Sequence, residues 1–144
     1  MKTITYRLDD IQAVAGLVAN DITQCSMVTL TGSLGAGKTA FTGALLAHMG
    51  VLESVVSPTF NYLNCYQTSD GRSIYHFDLY RLKNIGEFER AGFGEYLNQP
   101  NSLVIIEWPE IIQNFLKNSW CAINIIVEPD ERRTITWTMI NKDL

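Results

Sequence analysis

Apolar and polar residues alternate with a helical period in two segments of the chain. Residues 10–19 and residues 38–49 each place apolar side chains on one face, so both are predicted to be amphipathic helices. Asp9 or Asp10 stands at the start of the first segment and can cap it. Gly50 follows the second segment, where a left-handed residue commonly ends a helix. The pattern therefore predicts two capped helices.

Other segments have the composition of β-strands. Met27–Thr31 is a short β-rich run, and Leu103–Ile106 is an unbroken apolar run typical of a strand buried on both faces of a parallel sheet. Two further pairs of segments flank turn sequences, which predicts two antiparallel hairpins. They are residues 60–66 and 73–77 around the turn at 69–71, and residues 120–127 and 134–140 around the turn at 129–132.

Two shorter segments carry helix-start signals. Asn84 and Glu87 have the spacing of a capping box, which predicts a short helix through about Arg90. Pro109 can begin another helix, because proline is well accepted in the first turn. The apolar residues of that helix would be Ile111, Ile112, Phe115 and Leu116.

The order of these elements predicts the fold class. The chain of 144 residues shows no repeat, low-complexity tract or linker, which favours one domain over residues 1–144. Strands joined through helices pair in parallel, whereas hairpin strands pair antiparallel. We therefore expect an α/β fold whose mixed sheet has a parallel core and antiparallel flanking strands.

Composition narrows the classes of function. A net charge of -4 argues against a large basic face and against unaided tight binding to nucleic acid. Cys25, Cys65 and Cys121 form no C-x-x-C pair, so neither a zinc site nor a disulfide framework is predicted. The chain shows neither a secretory signal nor an apolar run long enough to cross a bilayer. A cytoplasmic protein is the expectation.

The segment GSLGAGKT at residues 32–39 has the pattern of a phosphate-binding loop. Its glycines let backbone N–H groups turn around a phosphate, and the following helix adds the positive end of its dipole. Lys38 can reach the β- and γ-phosphates, and the Thr39 hydroxyl can bind magnesium. A P-loop nucleotide-binding domain is therefore predicted, with ATP contacts at Gly35, Ala36, Gly37, Lys38, Thr39 and Ala40. ATP is preferred over GTP because the chain contains no D-x-x-G and no N-K-x-D motif.

Two acids follow extended segments and can complete such a site. Glu107 ends an apolar strand and is predicted to bind magnesium, although it could instead favour the start of the helix at Pro109. Asp78 is a candidate for positioning the attacking water, or it could simply pair with Arg81.

Four other polar or aromatic residues lie in or near these motifs, and the sequence alone assigns none of them a single functional role. Thr59 could lie in a turn as a bystander, or its hydroxyl could sense the γ-phosphate. His76 is interpreted as a hydrogen-bonded core histidine, and His48 is given no role. Trp108 is most simply a packing aromatic, yet its place after Glu107 would put it at the edge of the site.

Four motifs taken together carry a resemblance to a known family. GSLGAGKT, SPTF, HFDLYR and IIEW follow one another across positions 32–108 and resemble the bacterial TsaE (YjeE) ATPases of tRNA threonylcarbamoyladenosine biosynthesis. The resemblance implies a small P-loop sheet with flanking antiparallel strands and an ATPase that is weak alone. It also implies that TsaB and TsaD are partners, TsaD transferring the threonylcarbamoyl group to the adenosine beside the anticodon, so that tRNA is met through the complex.

The same resemblance implies roles for individual residues. Thr39 and Glu107 would bind magnesium, and Lys38 would act on the phosphates. Asp78, Thr59 and Trp108 occupy family positions linked to ATP turnover. Asp10 and Arg133 would contact the adenine side of the nucleotide.

Two other classes of function also use such a loop. A small-molecule kinase would need an acceptor pocket and a lid, for which a chain of 144 residues leaves little room. A nucleotide-dependent interaction switch would bind ATP without needing to hydrolyse it. The partner-dependent ATPase is the favoured prediction.

Overall fold

A computed structural model describes residues 1–58, 62–116 and 119–141 of the chain. The strands in these ranges are β1 Lys2–Tyr6, β2 Met27–Gly32, β3 Leu63–Gln67, β4 Ser73–Asp78, β5 Ser102–Glu107, β6 Trp120–Val127 and β7 Arg133–Ile140. The α-helices are α1 Ile11–Asp21, α2 Lys38–His48 and α3 Ile85–Arg90. Short 3-10 turns occupy Leu8–Asp10, Phe93–Asn98, Pro109–Ile111 and Gln113–Phe115.

The strands form one mixed sheet in the order β1-β7-β6-β2-β5-β4-β3. The pairs β6–β2, β2–β5 and β5–β4 are parallel, and the pairs β1–β7, β7–β6 and β4–β3 are antiparallel. The predicted α/β class, with a parallel core and antiparallel flanking strands, is confirmed. Because parallel strands start and end at the same edges of a sheet, β2, β4 and β5 all finish on one side of the molecule.

The core lies on both faces of the sheet, and β5 is therefore buried along its whole length. Alternate residues of β5 enter different apolar clusters: Leu103 and Ile105 face α1 and α2, whereas Val104 and Ile106 face α3. Each such side chain, fully buried, contributes roughly 1.5–3 kcal/mol through removal from water. This packing holds the ends of the central strands in a fixed position.

Local signals for helix ends agree with the structure in most places. The Asn84 side chain accepts a hydrogen bond from the Glu87 backbone N–H at 3.0 Å, as the capping box predicts. Gly50 has a φ of 88° just beyond α2, which is the predicted left-handed position. Asp10 does stand at the N-cap of α1, but its side chain makes no capping hydrogen bond there.

One prediction about secondary structure needs correction, and one strand was missed. Residues 109–116 do not form one helix but two 3-10 turns, with i to i+3 bonds such as Ile112 N–H to Pro109 O at 2.9 Å. Short segments often adopt this tighter geometry, because few residues are available to build an α-helix. The strand β1 was not predicted at all, since its stability comes from pairing with β7 at the far end of the chain.

None of the helices in the described ranges is long and apolar enough to cross a membrane.

Candidate functional site

The glycine-rich loop joins β2 to α2 at the edge where the parallel strands end. A side chain at Gly32 would place its Cβ 2.6 Å from the backbone oxygen of Ile125, so only glycine fits there. Gly35 and Gly37 have φ values of 79° and 94°, and no other atom lies within 4 Å of where their Cβ atoms would be. The loop therefore has an open side at both positions.

Lys38 is the first residue of α2, and its side chain is folded back onto the loop. Its Nζ donates to the backbone oxygens of Gly32 at 2.6 Å and Ser33 at 3.0 Å. Burial lowers the pKa of Lys38, and the nearby Glu107 and Asp78 carboxylates oppose that change. The ammonium thus lies in a partly buried site near three carboxylates, those of Glu107, Asp78 and Glu110.

Asp78 and Glu107 are the last residues of β4 and β5 and pair directly in the parallel register. This register places the two carboxylates side by side at the same edge of the sheet. Burial raises the pKa of Asp78, and the Tyr80 backbone N–H donates to its Oδ1 at 3.0 Å. Asp78 forms no ion pair with Arg81, which is exposed, so the reading of Asp78 as a simple partner of that arginine is wrong.

Glu107 is buried, and its Oε2 lies 2.5 Å from Nε2 of His76. The alternative role at the start of a helix is not supported. The turn that follows at Pro109–Ile111 is a short 3-10 segment without a side-chain capping bond. The side chain is instead held within the sheet by a histidine from the neighbouring strand.

His76 is fully buried, as a core histidine should be, but only one ring nitrogen is hydrogen-bonded. Nε2 contacts Glu107, whereas Nδ1 has no hydrogen-bond partner among the residues that the structure describes. The interpretation of His76 as a satisfied core residue is therefore only half right. The sequence contained one signal that His76 lies near the acids. His76 and Asp78 are two residues apart on a strand, so their side chains point to the same face of the sheet.

Thr39 is the second residue of α2, and its hydroxyl lies 2.6 Å from the hydroxyl of Ser57. The predicted switch residue Thr59 lies outside the described residues. No cluster of three or more histidine, cysteine or acidic side chains able to hold a metal occurs in the described ranges. Magnesium commonly keeps several waters and binds one or two protein ligands together with phosphate oxygens, so Thr39 and Glu107 suit it in number and chemistry.

Trp108 lies against Lys38, so its predicted place at the edge of the site agrees with the structure. The Lys38 Nζ is 4.1 Å from the centroid of the indole ring. The Tyr80 ring also lies near Trp108, at 4.8 Å from centroid to centroid. Tyr80 is a neighbour of the site that the sequence did not indicate. A cation over an indole face is attracted by the ring, which helps to hold the lysine where it is.

Arg133 begins β7 and comes close to the glycine-rich loop from the opposite flank. Its Nε donates to the backbone oxygen of Ala36 at 3.5 Å, and its Nη1 donates to the backbone oxygen of Glu131 at 2.5 Å. Beside it lies an open groove of about 520 Å³. The groove is lined by Arg7, Leu8, Asp9, Val127, Asp130, Glu131 and Arg133.

The predicted residues are thus not all brought together. Lys38 lies against Trp108 and feels the charges of Asp78 and Glu107, so these four residues share one end of the sheet. Asp10 is exposed and does not line the groove beside Arg133, although its neighbour Asp9 does.

Comparison with known proteins connects this arrangement to a family. The family model described as threonylcarbamoyl adenosine biosynthesis protein TsaE matches residues 5–135. A tRNA threonylcarbamoyladenosine biosynthesis protein TsaE from Rickettsia felis is 40% identical over 126 residues, covering 87% of this chain and 72% of that protein. Its counterpart from Bacillus subtilis is 33% identical over 141 residues, covering 97% of this chain and 86% of that protein.

A solved structure is also similar. The crystal structure of Bacillus subtilis YdiB superposes with a TM-score of 0.70 at 28% identity, covering 99% of this chain and 88% of that one. The fold similarity therefore extends over nearly the whole chain, and the family match covers all four sequence motifs. This chain belongs to the TsaE family of tRNA threonylcarbamoyladenosine biosynthesis proteins.

Proposed function

We propose that this chain binds ATP with magnesium and hydrolyses it as an accessory subunit in tRNA threonylcarbamoyladenosine biosynthesis, acting with TsaB and TsaD. One observation carries the ATPase proposal. Asp78 and Glu107 pair in register at the ends of two parallel strands, with the buried ammonium of Lys38 in the same site. Phosphoryl transfer requires a cation that contacts the phosphates. It also requires acids that can bind magnesium and position the attacking group, and two acids in different environments can take these different tasks.

The triphosphate is assigned to the open side of the glycine-rich loop. The backbone of Gly35, Ala36 and Gly37 leads into the first turn of α2 at Lys38, Thr39 and Ala40. Nothing fills the space beside Gly35 and Gly37, so a phosphate can approach the backbone closely. Lys38 now donates to two loop carbonyls, and a bound phosphate would compete with them for the ammonium.

The two acids are given different tasks. Glu107, together with the Thr39 hydroxyl, is assigned to magnesium, which neutralises phosphate charge when it is bound. Asp78 is assigned to orienting the attacking water, because burial raises the pKa of its carboxyl toward the range where it can accept a proton. Thr59 keeps its proposed role in sensing the γ-phosphate.

The nucleoside is assigned to the flank beside Arg133. The groove there adjoins the loop, since Arg133 contacts the Ala36 oxygen directly. Asp10 remains a proposed adenine contact, although the groove itself includes Asp9. Trp108 lies on the other side, against Lys38, where it can pack beside the bound phosphates.

The expected dependence on partners comes from the positive charge that the transition state of hydrolysis needs. Hydrolysis of a γ-phosphate ordinarily uses an arginine to stabilise the transition state. Among the described residues, neither Arg81 nor Arg133 bonds to Asp78 or Glu107; Arg81 is exposed and Arg133 is held by carbonyl oxygens. We therefore expect slow hydrolysis by the isolated chain and stimulation by a partner, with tRNA bound mainly by the assembly.

The test is ATP hydrolysis by the isolated chain and by its mixture with purified TsaB and TsaD. A clear increase on mixing is expected, and the Lys38→Ala variant should abolish it, which separates this activity from a contaminating ATPase. Rapid hydrolysis by the chain alone, unchanged by TsaB and TsaD, would contradict the proposal. Transfer of phosphate to a metabolite would favour a kinase, and full tRNA modification by an Asp78→Ala variant would favour a non-hydrolysing switch.

A further inference from the structure

We propose that His76 is a positioning residue for Glu107: its ring Nε2–H holds the carboxylate in the orientation that the magnesium site needs. The inference rests on the proposed function, in which Glu107 is a magnesium ligand. Its basis is the contact of 2.5 Å between His76 Nε2 and Glu107 Oε2, both on buried side chains.

The parallel register makes this contact a consequence of the fold. His76 pairs with Ile105, and Asp78 pairs with Glu107, on the adjacent strands β4 and β5. Side chains two residues apart point to the same face, so His76 and Glu107 are diagonal neighbours on one face of the sheet. The carboxylate can therefore reach the imidazole while it stays at the end of its own strand.

The chemistry of the pair assigns the proton. A carboxylate only accepts hydrogen bonds, so Nε2 of His76 must carry the hydrogen. Its other nitrogen, Nδ1, is buried without a partner in the described part of the chain. An unpaired buried nitrogen costs stability, so packing alone does not account for a histidine at this position. The bond to Glu107 does account for it.

Residues that hold a metal ligand from behind alter metal affinity strongly. Loss of such a partner typically weakens metal binding or activity by about 10–100-fold, because the ligand is no longer held in one orientation. We expect the same range for the magnesium concentration that half-saturates ATP binding once the His76 donor is removed.

Two amide substitutions separate donation from simple packing. The side-chain nitrogen of glutamine in His76→Gln can reach the place of the ring Nε2, whereas the shorter asparagine in His76→Asn cannot. Ile74→Val is the matched control, since Ile74 is a fully buried residue on the same face of β4 and belongs to the core cluster. It perturbs packing without removing a donor to Glu107.

The experiment is a magnesium titration of ATP binding to the full chain, measured by calorimetry for each variant. His76→Asn should shift the half-saturating magnesium concentration by at least about 10-fold, while His76→Gln and Ile74→Val should stay near the wild type. Because His76 acts through Glu107, His76→Asn should add nothing in a Glu107→Gln background. An equal shift in both backgrounds, or no shift in the wild-type background, would overturn the inference.

The magnesium titrations of the wild type and of Glu107→Gln distinguish a failure of the proposed magnesium site from a failure of the role of His76 alone. If wild-type ATP binding ignores magnesium, or if Glu107→Gln changes nothing, the proposed magnesium site fails and the inference fails with it. If Glu107→Gln weakens magnesium binding but His76→Asn does not, only the inference fails. Nitrogen NMR of the ligand-free protein gives an independent check: the hydrogen of His76 should be on Nε2, and a hydrogen on Nδ1 alone would contradict the inference.

Discussion

The parallel core and the antiparallel flank share one sheet, yet they contribute different chemistry to the site. Strands β2, β4 and β5 run in the same direction, so Gly32, Asp78 and Glu107 finish at the same edge. On the flank, β6 runs parallel to β2 and antiparallel to β7, so the end of β6, with Val127, and the start of β7, with Arg133, both reach that edge. Strand direction, rather than composition, therefore decides where the acids and the glycine-rich loop meet.

The parallel core is also more deeply buried than the antiparallel flank. Strand β5 is buried throughout, whereas β6 alternates and ends with the exposed Ile126 and Val127. A strand covered on both faces is fixed by packing on both sides, which suits the precise placement of Glu107. One face of the flank is only partly buried beyond Trp120, so it can tolerate more change there.

The largest expected effect is on the parallel side of the site. Lys38→Ala and Thr39→Ala should each lower ATP hydrolysis in the mixture with TsaB and TsaD by ~10²–10³-fold, because they remove charge stabilisation at the phosphates and a magnesium ligand. Lys2→Ala is the control, as Lys2 lies on the flank and pairs with Asp21. Wild-type rates in either variant would remove the assignment of the loop.

The next effect compares two isoleucines, one from each region. Ile105 on β5 is fully buried and Ile126 on β6 is 50% exposed. Denaturant unfolding should show a loss of about 2–5 kcal/mol for Ile105→Ala and about 0.5 kcal/mol or less for Ile126→Ala. Equal losses would mean that the flank is packed as tightly as the core.

A smaller effect is expected for the arginine of the flank. Arg133→Ala should weaken ATP binding by about 10-fold, the equivalent of one lost charge-assisted hydrogen bond. Arg132→Ala is a matched control, because Arg132 is an exposed neighbour that pairs with Asp130. The dissociation constants of ATP for both variants check the prediction, which is wrong if the two variants behave alike.

The smallest effect is on the pH dependence of stability. Burial raises the pKa of Asp78, so the stability that its protonated form contributes is lost as pH rises through the folded-state pKa. At neutral pH, Asp78→Asn should therefore slightly stabilise the ligand-free protein, and the gain should shrink in acid. Hydrogen bonds from Arg132 lower the pKa of Asp130 on the flank, so Asp130→Asn should have the opposite sign. Denaturant unfolding of both variants at neutral and at acidic pH measures the two effects. Changes in stability of the same sign for Asp78→Asn and Asp130→Asn would contradict these pKa directions.

Much of the fold could be predicted because its signals are local. The apolar run that became β5, the capping box at Asn84 and the two hairpin turns each depend on a few adjacent residues. The strand β1 escaped prediction because only Ile4 and Tyr6 mark it as apolar, and its partner β7 lies at the far end of the chain.

The candidate site was predictable in its motifs but not in its contacts. The order of Lys38, Asp78 and Glu107 along the chain suggested one site, and the parallel register brings the two acids together. The bond from His76 to Glu107 and the contact of Arg133 with the loop depend on how distant strands pair. No local pattern encodes such register, which is fixed only when the whole sheet forms.

The central claim is that ATP occupies the loop at the end of the parallel strands, and amide hydrogen exchange tests it most directly. On addition of ATP and magnesium, the backbone amides of residues 33–40 should become strongly protected. The groove formed by α1, the end of α2 and the turn between β3 and β4, lined by residues that include Gly16, His48 and Arg72, should not change. Unchanged exchange in the loop, with protection appearing in that groove instead, would contradict the account.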